Sequence, residues 1–248
     1  MAACLAAQAG GVDGARVKVI VTCGPSYEPI DEVRRITNFS TGELGILLAN
    51  RLTRAGFEVL CFKGVGATCP LRVEGAQTVP FTTNENLRAG LAAVEGRGEI
   101  AAVFHAAALS DYRVKSVQTS DGAEIAAAKI PSRAGELLLT LEPALKLIGG
   151  LREIFPASRI VGWKYELNGM REDALAAAAR QITGEKTDAC VVNGAAFGPG
   201  FGVCVADAEP VFCADKPRLC AWLARWLERA LSDAPPTVQR AESAPEAT

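Results

Sequence analysis

The sequence is poor in the residues and segments that build metal centres and membrane spans. It contains a single histidine, His105, among 248 residues, so the imidazole ligands of a typical zinc site are missing. Its eight cysteines form no C-x-x-C motif, which predicts reduced thiols in the core of a cytoplasmic protein. No apolar run approaches the roughly 18 residues that indicate a membrane-spanning helix. The net charge of −2 gives no electrostatic basis for binding nucleic acid or an anionic membrane.

Two common nucleotide-binding motifs are absent from the first predicted strand–turn–helix unit. The strand Val17–Thr22 ends at the turn Gly24-Pro25, and neither G-x-G-x-x-G nor G-x-x-x-x-G-K follows it. A charged loop leads instead to a helix predicted over residues 40–55, whose first turn is Ser40-Thr41-Gly42. Backbone N–H groups at a helix N-terminus bind anions, so this turn predicts a phosphorylated ligand. The same residues are also typical of an ordinary helix start that packs closely on the sheet.

Strands alternate with helices along most of the chain. Strands are predicted over 17–22, 58–63, 78–81, 100–108, 159–164 and 189–193, and helices over 40–55, 85–94, 171–183 and 217–231. This alternation predicts an α/β fold with a doubly wound, Rossmann-like parallel sheet. We expect one domain over residues 17–231, a flexible N-terminal extension over 1–16, and a disordered tail over 232–248.

Two segments interrupt the alternation and predict antiparallel ribbons. Residues 111–141 contain the turn signal Asp121-Gly122 and then a strand-like stretch with no helix before it, and residues 202–213 form a second hairpin pattern. Ribbons that protrude from a parallel sheet expose unpaired edges and apolar faces, so they usually pair with another element. We expect the two ribbons to form a small antiparallel dimerisation subdomain that joins two copies of the chain in a homodimer.

The segment around the first helix carries a long motif. It follows the pattern T-x-G-G-T/S-x-E-x-I/L-D-x-V-R and then I-S/T-N-x-S-S/T-G-x-x-G, in register at Thr22, Gly24, Ser26, Glu28, Ile30, Asp31, Val33, Arg34, Ile36, Thr37, Asn38, Ser40, Thr41, Gly42 and Gly45. Three further blocks follow in order: Ala106–Ala108 with Asp111-Tyr112-Arg113, Lys129-Ile130, and Gly162-Trp163 with Glu166. On these residues the chain resembles the phosphopantothenoylcysteine synthetase family, over roughly residues 17–231.

The resemblance implies a phosphopantothenate–cysteine ligase of coenzyme A biosynthesis. In that reaction CTP or ATP activates the carboxylate of 4'-phosphopantothenate as an acyl-nucleotidylate and releases pyrophosphate. The amine of cysteine then attacks the acyl group. Because the first step brings a carboxylate and a polyphosphate together, it needs Lys, Arg and Mg²⁺. The flavin-dependent decarboxylase usually fused to bacterial members is not found in this sequence, so no flavin is expected.

The resemblance also implies roles for individual residues. Asn38 and Lys129 are implied as catalytic, Asn38 at the acyl-nucleotidylate stage and Lys129 on the nucleotide phosphates. Substrate binding is implied for Arg34, Asn38 and Asn193. Nucleotide binding is implied for a larger set from all blocks, namely Gly24, Ser40, Thr41, Gly42, Ala106, Ala107, Ala108, Asp111, Lys129 and Trp163. No motif identifies the metal ligands.

Departures from the family pattern leave other functions open. Pro131-Ser132 replaces the basic pair that usually follows the Lys129 block, and Asn193 lacks its usual acidic neighbour. A relative that binds nucleotide or phosphopantothenate without ligating it is therefore a second hypothesis. A short-chain oxidoreductase is a third, since Tyr112 and Lys115 approximate a Tyr-x-x-x-Lys pair that is one residue short.

The nucleotide is also left open by the motifs. The blocks Asn38–Gly45 and Ala106–Asp111 resemble bacterial members, which use CTP. Trp163-Lys164 resembles the eukaryotic form of its block, which goes with ATP. We expect CTP slightly ahead of ATP.

Overall fold

The computed structural model describes residues 16–233 and shows an eight-stranded sheet flanked by helices. Its strands are β1 Lys18–Cys23, β2 Tyr27–Pro29, β3 Arg35–Thr37, β4 Glu58–Gly64, β5 Gln77–Phe81, β6 Ile100–His105, β7 Tyr112–Thr119, β8 Leu137–Pro143, β9 Arg159–Tyr165, β10 Ala189–Gly194, β11 Gly198–Val205 and β12 Val211–Cys213. Its helices are α1 Glu43–Arg54, α2 Asn84–Ala92, α3 Leu147–Ile154, α4 Arg171–Glu185 and α5 Lys216–Ser232. Residues 1–15 and 234–248, which include nearly all of the predicted extension and tail, lie outside the described residues.

The main sheet has the order β12-β11-β10-β9-β6-β1-β4-β5. The six strands from β10 to β5 run parallel, and β11 and β12 continue the sheet antiparallel at one edge. Helices α1 and α5 share one apolar cluster with Val19 and Val21 of β1, whereas α2 and α3 pack with Ile20 between them. Because successive residues of a strand face opposite sides, both faces of the sheet are covered. The doubly wound α/β prediction is confirmed.

Helix α1 begins later than the sequence predicts. It starts at Glu43, after Gly42 has adopted a φ of 77°, so Ser40 and Thr41 precede the helix. The helix then lies very close to β1, since a Cβ on Gly45 would collide with the Cβ of Cys23. The glycines of this segment therefore bring helix and sheet together as well as forming the turn.

One of the two predicted ribbons forms a separate sheet and the other joins the main sheet. Strands β7 and β8 form a separate two-stranded antiparallel sheet, as residues 111–141 predict. The hairpin predicted over 202–213 is present as the pairing of β11 with β12, but β11 also pairs with β10. The expectation of a second protruding ribbon is therefore wrong, because this hairpin pairs with β10 at the edge of the parallel strands.

Three elements were not predicted at all. The charged loop before α1 contains a small antiparallel pair, β2 and β3, and helix α3 follows β8. Within residues 16–233, no helix combines the length and the apolar character needed to cross a bilayer.

Candidate functional site

The motif loops meet at the carboxyl edge of the parallel strands. The loop after β1 and the loop after β6 run side by side: the N–H of Ala108 donates to the oxygen of Gly24 at 3.0 Å, and the N–H of Ser26 donates to the oxygen of Ala108 at 3.1 Å. Ala106 and Ala107 continue β6 and are partly exposed at this edge. Ligands of open α/β sheets bind beyond the carboxyl ends of the strands. The predicted Ala106–Ala108 block therefore lies where such a ligand would be.

The structure brings the residues of the predicted phosphate-binding turn together, but another loop of the chain occupies the space beside them. Gly24 and Gly42 both have positive φ values, 79° and 77°. A Cβ on Gly24 would lie 2.8 Å from the methyl carbon of Ala67, and one on Gly42 would lie 3.0 Å from it. The loop of Ala67 is held there because the N–H of Cys69 donates to the oxygen of Thr41 at 3.0 Å. These glycines allow three loops to pack closely. The half-exposed Ser40 and the exposed Thr41 lie at the surface of the turn.

Asn38 follows β3 and reaches across to the loop after β6. Its Nδ2 donates to the oxygen of Leu109 at 2.8 Å, while the residue itself is exposed. An amide nitrogen carries two hydrogens, so Asn38 can hold this loop with one and donate to a ligand with the other. The exposed Asp111 lies two residues beyond Leu109, and its backbone oxygen accepts from the N–H of Ala144 at 2.9 Å. Asn38 and the Asp111 loop are thus joined.

Arg34 lies in an internal clamp. Its guanidinium pairs with the carboxylate of Asp31 at 2.6 Å, and both terminal nitrogens donate to the oxygen of Ile130 at 3.2 Å. The N–H of Ile130 donates to Asp31 at 3.1 Å in return. Burial would raise the pKa of Asp31, but the N–H groups of Ile130, Val33 and Arg34 and the charge of Arg34 lower it below the ordinary value. The guanidinium predicted to bind substrate therefore fixes the loop beside Lys129.

Lys129 is exposed between two anchored neighbours. Ile130 is 1% exposed and is held by the clamp. The oxygen of Ala128 accepts from the N–H of Glu32 at 2.9 Å. The backbone of Lys129 is thus fixed next to the β2–β3 segment, while its side chain can reach a ligand.

Trp163 and Asn193 were predicted to bind ligands, and both also make contacts that hold the fold together. Trp163 packs against the cluster shared by α1 and α5, and its Nε1 is enclosed without a hydrogen-bond partner among residues 16–233. The indole therefore belongs largely to the core. Asn193 is partly buried at the end of β10, and its backbone oxygen accepts from the N–H of Glu166 at 2.9 Å. Asn193 orients Glu166, and a Cβ on Gly194 would collide with the oxygen of Glu166.

A polar cavity at the end of β9 was missed by the sequence analysis. Its volume is about 400 Å³, and it is lined by Lys146, Ile148, Lys164, Glu166, Asn168, Asp173, Ala177, Arg180, Gln181 and Glu185. Three of these are cations, and Lys146 immediately precedes α3, whose first N–H groups have no side-chain cap. Gln181 is 7% exposed, and its Oε1 lacks a partner among residues 16–233. Three carboxylates, those of Glu166, Asp173 and Glu185, line the same cavity, so its formal charges balance. The cations and the helix N-terminus suit an anion that binds together with a cation.

His105 is the last residue of β6, at the carboxyl edge of the parallel strands. It is 7% exposed at the end of β6, and its Nδ1 lies 2.8 Å from Oγ1 of Thr22. Burial lowers its pKa to about 4. Within residues 16–233, no group of three or more histidine, cysteine, aspartate or glutamate side chains is arranged to hold a metal ion.

Comparison with known proteins defines the class. Residues 15–216 match the family model described as the DNA/pantothenate metabolism flavoprotein C-terminal domain, and the chain belongs to this family. The resemblance to phosphopantothenoylcysteine synthetases is thereby confirmed.

Particular relatives place the chain within that family. It is 34% identical over 177 residues to the coenzyme A biosynthesis bifunctional protein CoaBC of Thermococcus kodakarensis, covering 71% of this chain and 41% of that protein. The chain therefore spans less than half the length of that relative. The DNA/pantothenate metabolism flavoprotein from Streptococcus pneumoniae superposes with a TM-score of 0.74 at 21% identity, over 86% of this chain and 99% of that one. A Cab2 mutant in complex with phosphopantothenate-cysteine gives 0.63 at 15% identity, over 87% of each. These two structures share the fold.

Proposed function

We propose that this chain ligates 4'-phosphopantothenate to cysteine through an acyl-nucleotidylate, as part of coenzyme A biosynthesis in the cytoplasm. The observation that carries the proposal is the linkage of three motif loops at one sheet edge. Hydrogen bonds of 2.8 Å and 3.2 Å tie the loops of Asn38, Asp111 and Lys129 to one another. A two-step ligase must hold an anionic phosphate and an acyl carbonyl side by side, so it needs such a fixed arrangement of a cation and an amide donor.

The cavity at the end of β9 is the best place for the nucleotide phosphates. Lys146, Lys164 and Arg180 offer three cations there, and the N-terminus of α3 adds its dipole. The carboxylates in the same lining do not oppose this role, because Mg²⁺ usually binds one or two protein carboxylates together with substrate phosphates and water. Three carboxylates line the cavity. Asp173 already accepts from the N–H of Met170 at 2.8 Å, so Glu166 and Glu185 are better suited to a cation that enters with the nucleotide.

The second step depends on Asn38. When the cysteine amine attacks, the acyl oxygen gains negative charge. The N–H of Asn38 that is not bound to Leu109 can donate to this oxygen. A preorganised donor of this kind typically contributes about 10²–10³ in rate.

A half-reaction assay tests the proposal. The protein is incubated with 4'-phosphopantothenate, Mg²⁺ and CTP or ATP, with and without cysteine, and pyrophosphate and adduct are measured. We expect pyrophosphate in both mixtures and adduct only with cysteine. Competition between CTP and ATP in one tube decides the nucleotide. Lys164→Ala should weaken nucleotide use, and Lys18→Ala is the matched control, since Lys18 begins β1 at the opposite edge and pairs with Glu99.

A binding protein without ligase activity is the second candidate. The loss of the basic pair after Lys129 favours it, because fewer cations would neutralise a polyphosphate. Binding of phosphopantothenate with no pyrophosphate from either nucleotide would establish it. The oxidoreductase hypothesis has no support in the geometry, since Tyr112 and Lys115 lie on β7 of the separate two-stranded sheet, and not on a helix, where residues three or four apart share a face.

A further inference from the structure

A buried carboxyl lies behind the candidate site and has no part in the proposed reaction. Glu28 belongs to β2, opposite Ile36 of β3, and is only 5% exposed. Its Oε1 is enclosed and has no hydrogen-bond partner among the described residues. A buried ionised carboxylate without full pairing is costly, so such a group tends to hold its proton.

A second unpaired acceptor faces the same region. Asn84 is completely buried at the start of α2, and its Nδ2 donates to the oxygens of Ser110 at 2.8 Å and Leu145 at 3.1 Å. Both amide hydrogens are therefore used, and Oδ1 of Asn84 is left enclosed without a donor. The N–H of Tyr27, next to Glu28, donates to the oxygen of Thr82 at 3.0 Å, so β2 lies against the start of α2, and the backbone N–H of Asn84 helps to lower the pKa of Glu28. One proton shared between two such acceptors would satisfy both.

The charges around Glu28 come from three elements. Glu85 of α2 is nearby, and Arg113 of β7 offers the opposing positive charge. Arg113 is already engaged, because it binds Glu142 of β8 at 2.6 Å and lies 3.8 Å from Glu85. Burial and then Glu85 raise the pKa of Glu28, and Arg113 and the N–H of Asn84 only partly oppose this. The neighbour on β3, Ile36, carries no charge.

We propose that Glu28 is a positioning residue that holds its proton and donates it to Oδ1 of Asn84. The bond joins β2 to α2 beneath the site. Asn84 in turn fixes the oxygen of Ser110, whose N–H donates to Oγ of Ser26 at 2.9 Å. The backbone leading to Asp111 is thereby held next to the loop of Asn38. The predicted effect on ligation rests on the proposed function, whereas the shared proton does not.

The protonation state is tested directly by infrared difference spectroscopy between the wild type and Glu28→Gln. We expect a carbonyl band of a protonated carboxylic acid that persists in the wild type above the ordinary pKa of 4.5, and its absence in Glu28→Gln. Because folding raises this pKa, the folded state binds more protons, so wild-type stability should fall as pH rises above about 4.5 through the folded pKa. Glu28→Gln should lack this dependence, and Glu85→Gln serves as a control for the loss of a neighbouring charge. Absence of the band, or the same pH profile in both proteins, overturns the shared proton even if no ligase activity exists.

Activity tests the positioning role. The amide of Glu28→Gln can accept from the N–H of Asn84 and donate to its Oδ1 without a titratable proton, so adduct formation should stay within about threefold of the wild type. Glu28→Ala leaves Oδ1 unpaired and should lower adduct formation by roughly tenfold or more. If Glu28→Ala does not fold, Glu28→Gln still decides. An amide variant that loses roughly tenfold while folded would show that the charge matters, and would overturn the proposal.

Discussion

The single histidine gives this chain a pH-dependent stability that can be traced to one residue. Oγ1 of Thr22 accepts from the N–H of Ala107 at 3.3 Å and lies 2.8 Å from Nδ1 of His105. The hydroxyl hydrogen is then best placed to donate to Nδ1, which leaves a neutral ring with its hydrogen on Nε2. Burial lowers the pKa from the ordinary 6.5 to about 4, because a charged ring would lose its hydration.

The sign and size of the effect follow from this difference. Below pH 6.5 the unfolded chain binds a proton at His105, whereas the folded chain binds it only near pH 4. The contribution to stability is therefore complete above pH 6.5 and is lost as the pH falls toward 4. The loss is about 1.4 kcal/mol per pH unit, or roughly 3 kcal/mol in all. A typical domain has only about 5–15 kcal/mol of stability, so the effect is measurable.

The assay is urea unfolding of the wild type and His105→Asn between pH 7 and pH 4. Oδ1 of the asparagine can take the place of Nδ1 as the acceptor for Thr22, and all carboxylates are unchanged, so the difference between the two curves isolates the histidine. We expect the wild type to lose more stability than the variant below pH 6.5. Since the sequence has one histidine, its ring signal in a nuclear magnetic resonance titration is unambiguous. Titration near 6.5, or parallel unfolding profiles, would refute the reasoning.

Three further predictions concern the site and the assembly. Asn38→Asp should keep measurable pyrophosphate release, while adduct formation falls about 10²-fold, because an anion replaces the amide donor. Rapid-quench mass spectrometry should then show the acyl-nucleotidylate. Adduct formation at the wild-type rate would contradict this role of Asn38. Lys129→Ala should slow pyrophosphate release by roughly 10²–10³, with Lys18→Ala as control, and a change under about threefold would make Lys129 a surface lysine. The protein should be a dimer in light scattering, and Leu141→Asp, on the apolar exposed part of β8, should give a monomer; a monomeric wild type at micromolar concentration excludes the dimer.

The parallel core was predictable because its strands are short apolar runs between helical patterns. Val19, Ile20 and Val21 are completely buried, as the sequence of β1 predicts. Helix α3 was not predictable in the same way, since it has eight residues and contains Gly149-Gly150. The position of the β11–β12 hairpin also depends on tertiary pairing. A local pattern indicates a hairpin but does not tell which sheet edge accepts it.

The site was only partly predictable, since charges that are far apart in sequence meet only in the fold. Lys146, Lys164 and Arg180 come from the start of α3, from β9 and from α4, and no motif spacing joins them. Arg34 illustrates the opposite case. The motif identified the residue, but only the fold shows that its guanidinium is engaged by Asp31 and by the backbone of Ile130.

The glycine turn shows how one motif can support two interpretations until the neighbouring loop is known. An anion cradle and a close-packed corner both require Gly24 and Gly42 at positive φ. The methyl group of Ala67 distinguishes them, because it occupies the space next to both glycines. Phosphates placed there would have to displace a loop that Cys69 anchors to Thr41. We therefore propose the polar cavity at the end of β9, which is lined by three cations and three carboxylates, for the polyphosphate, and we expect Gly24 and Gly42 to serve the close packing of three loops.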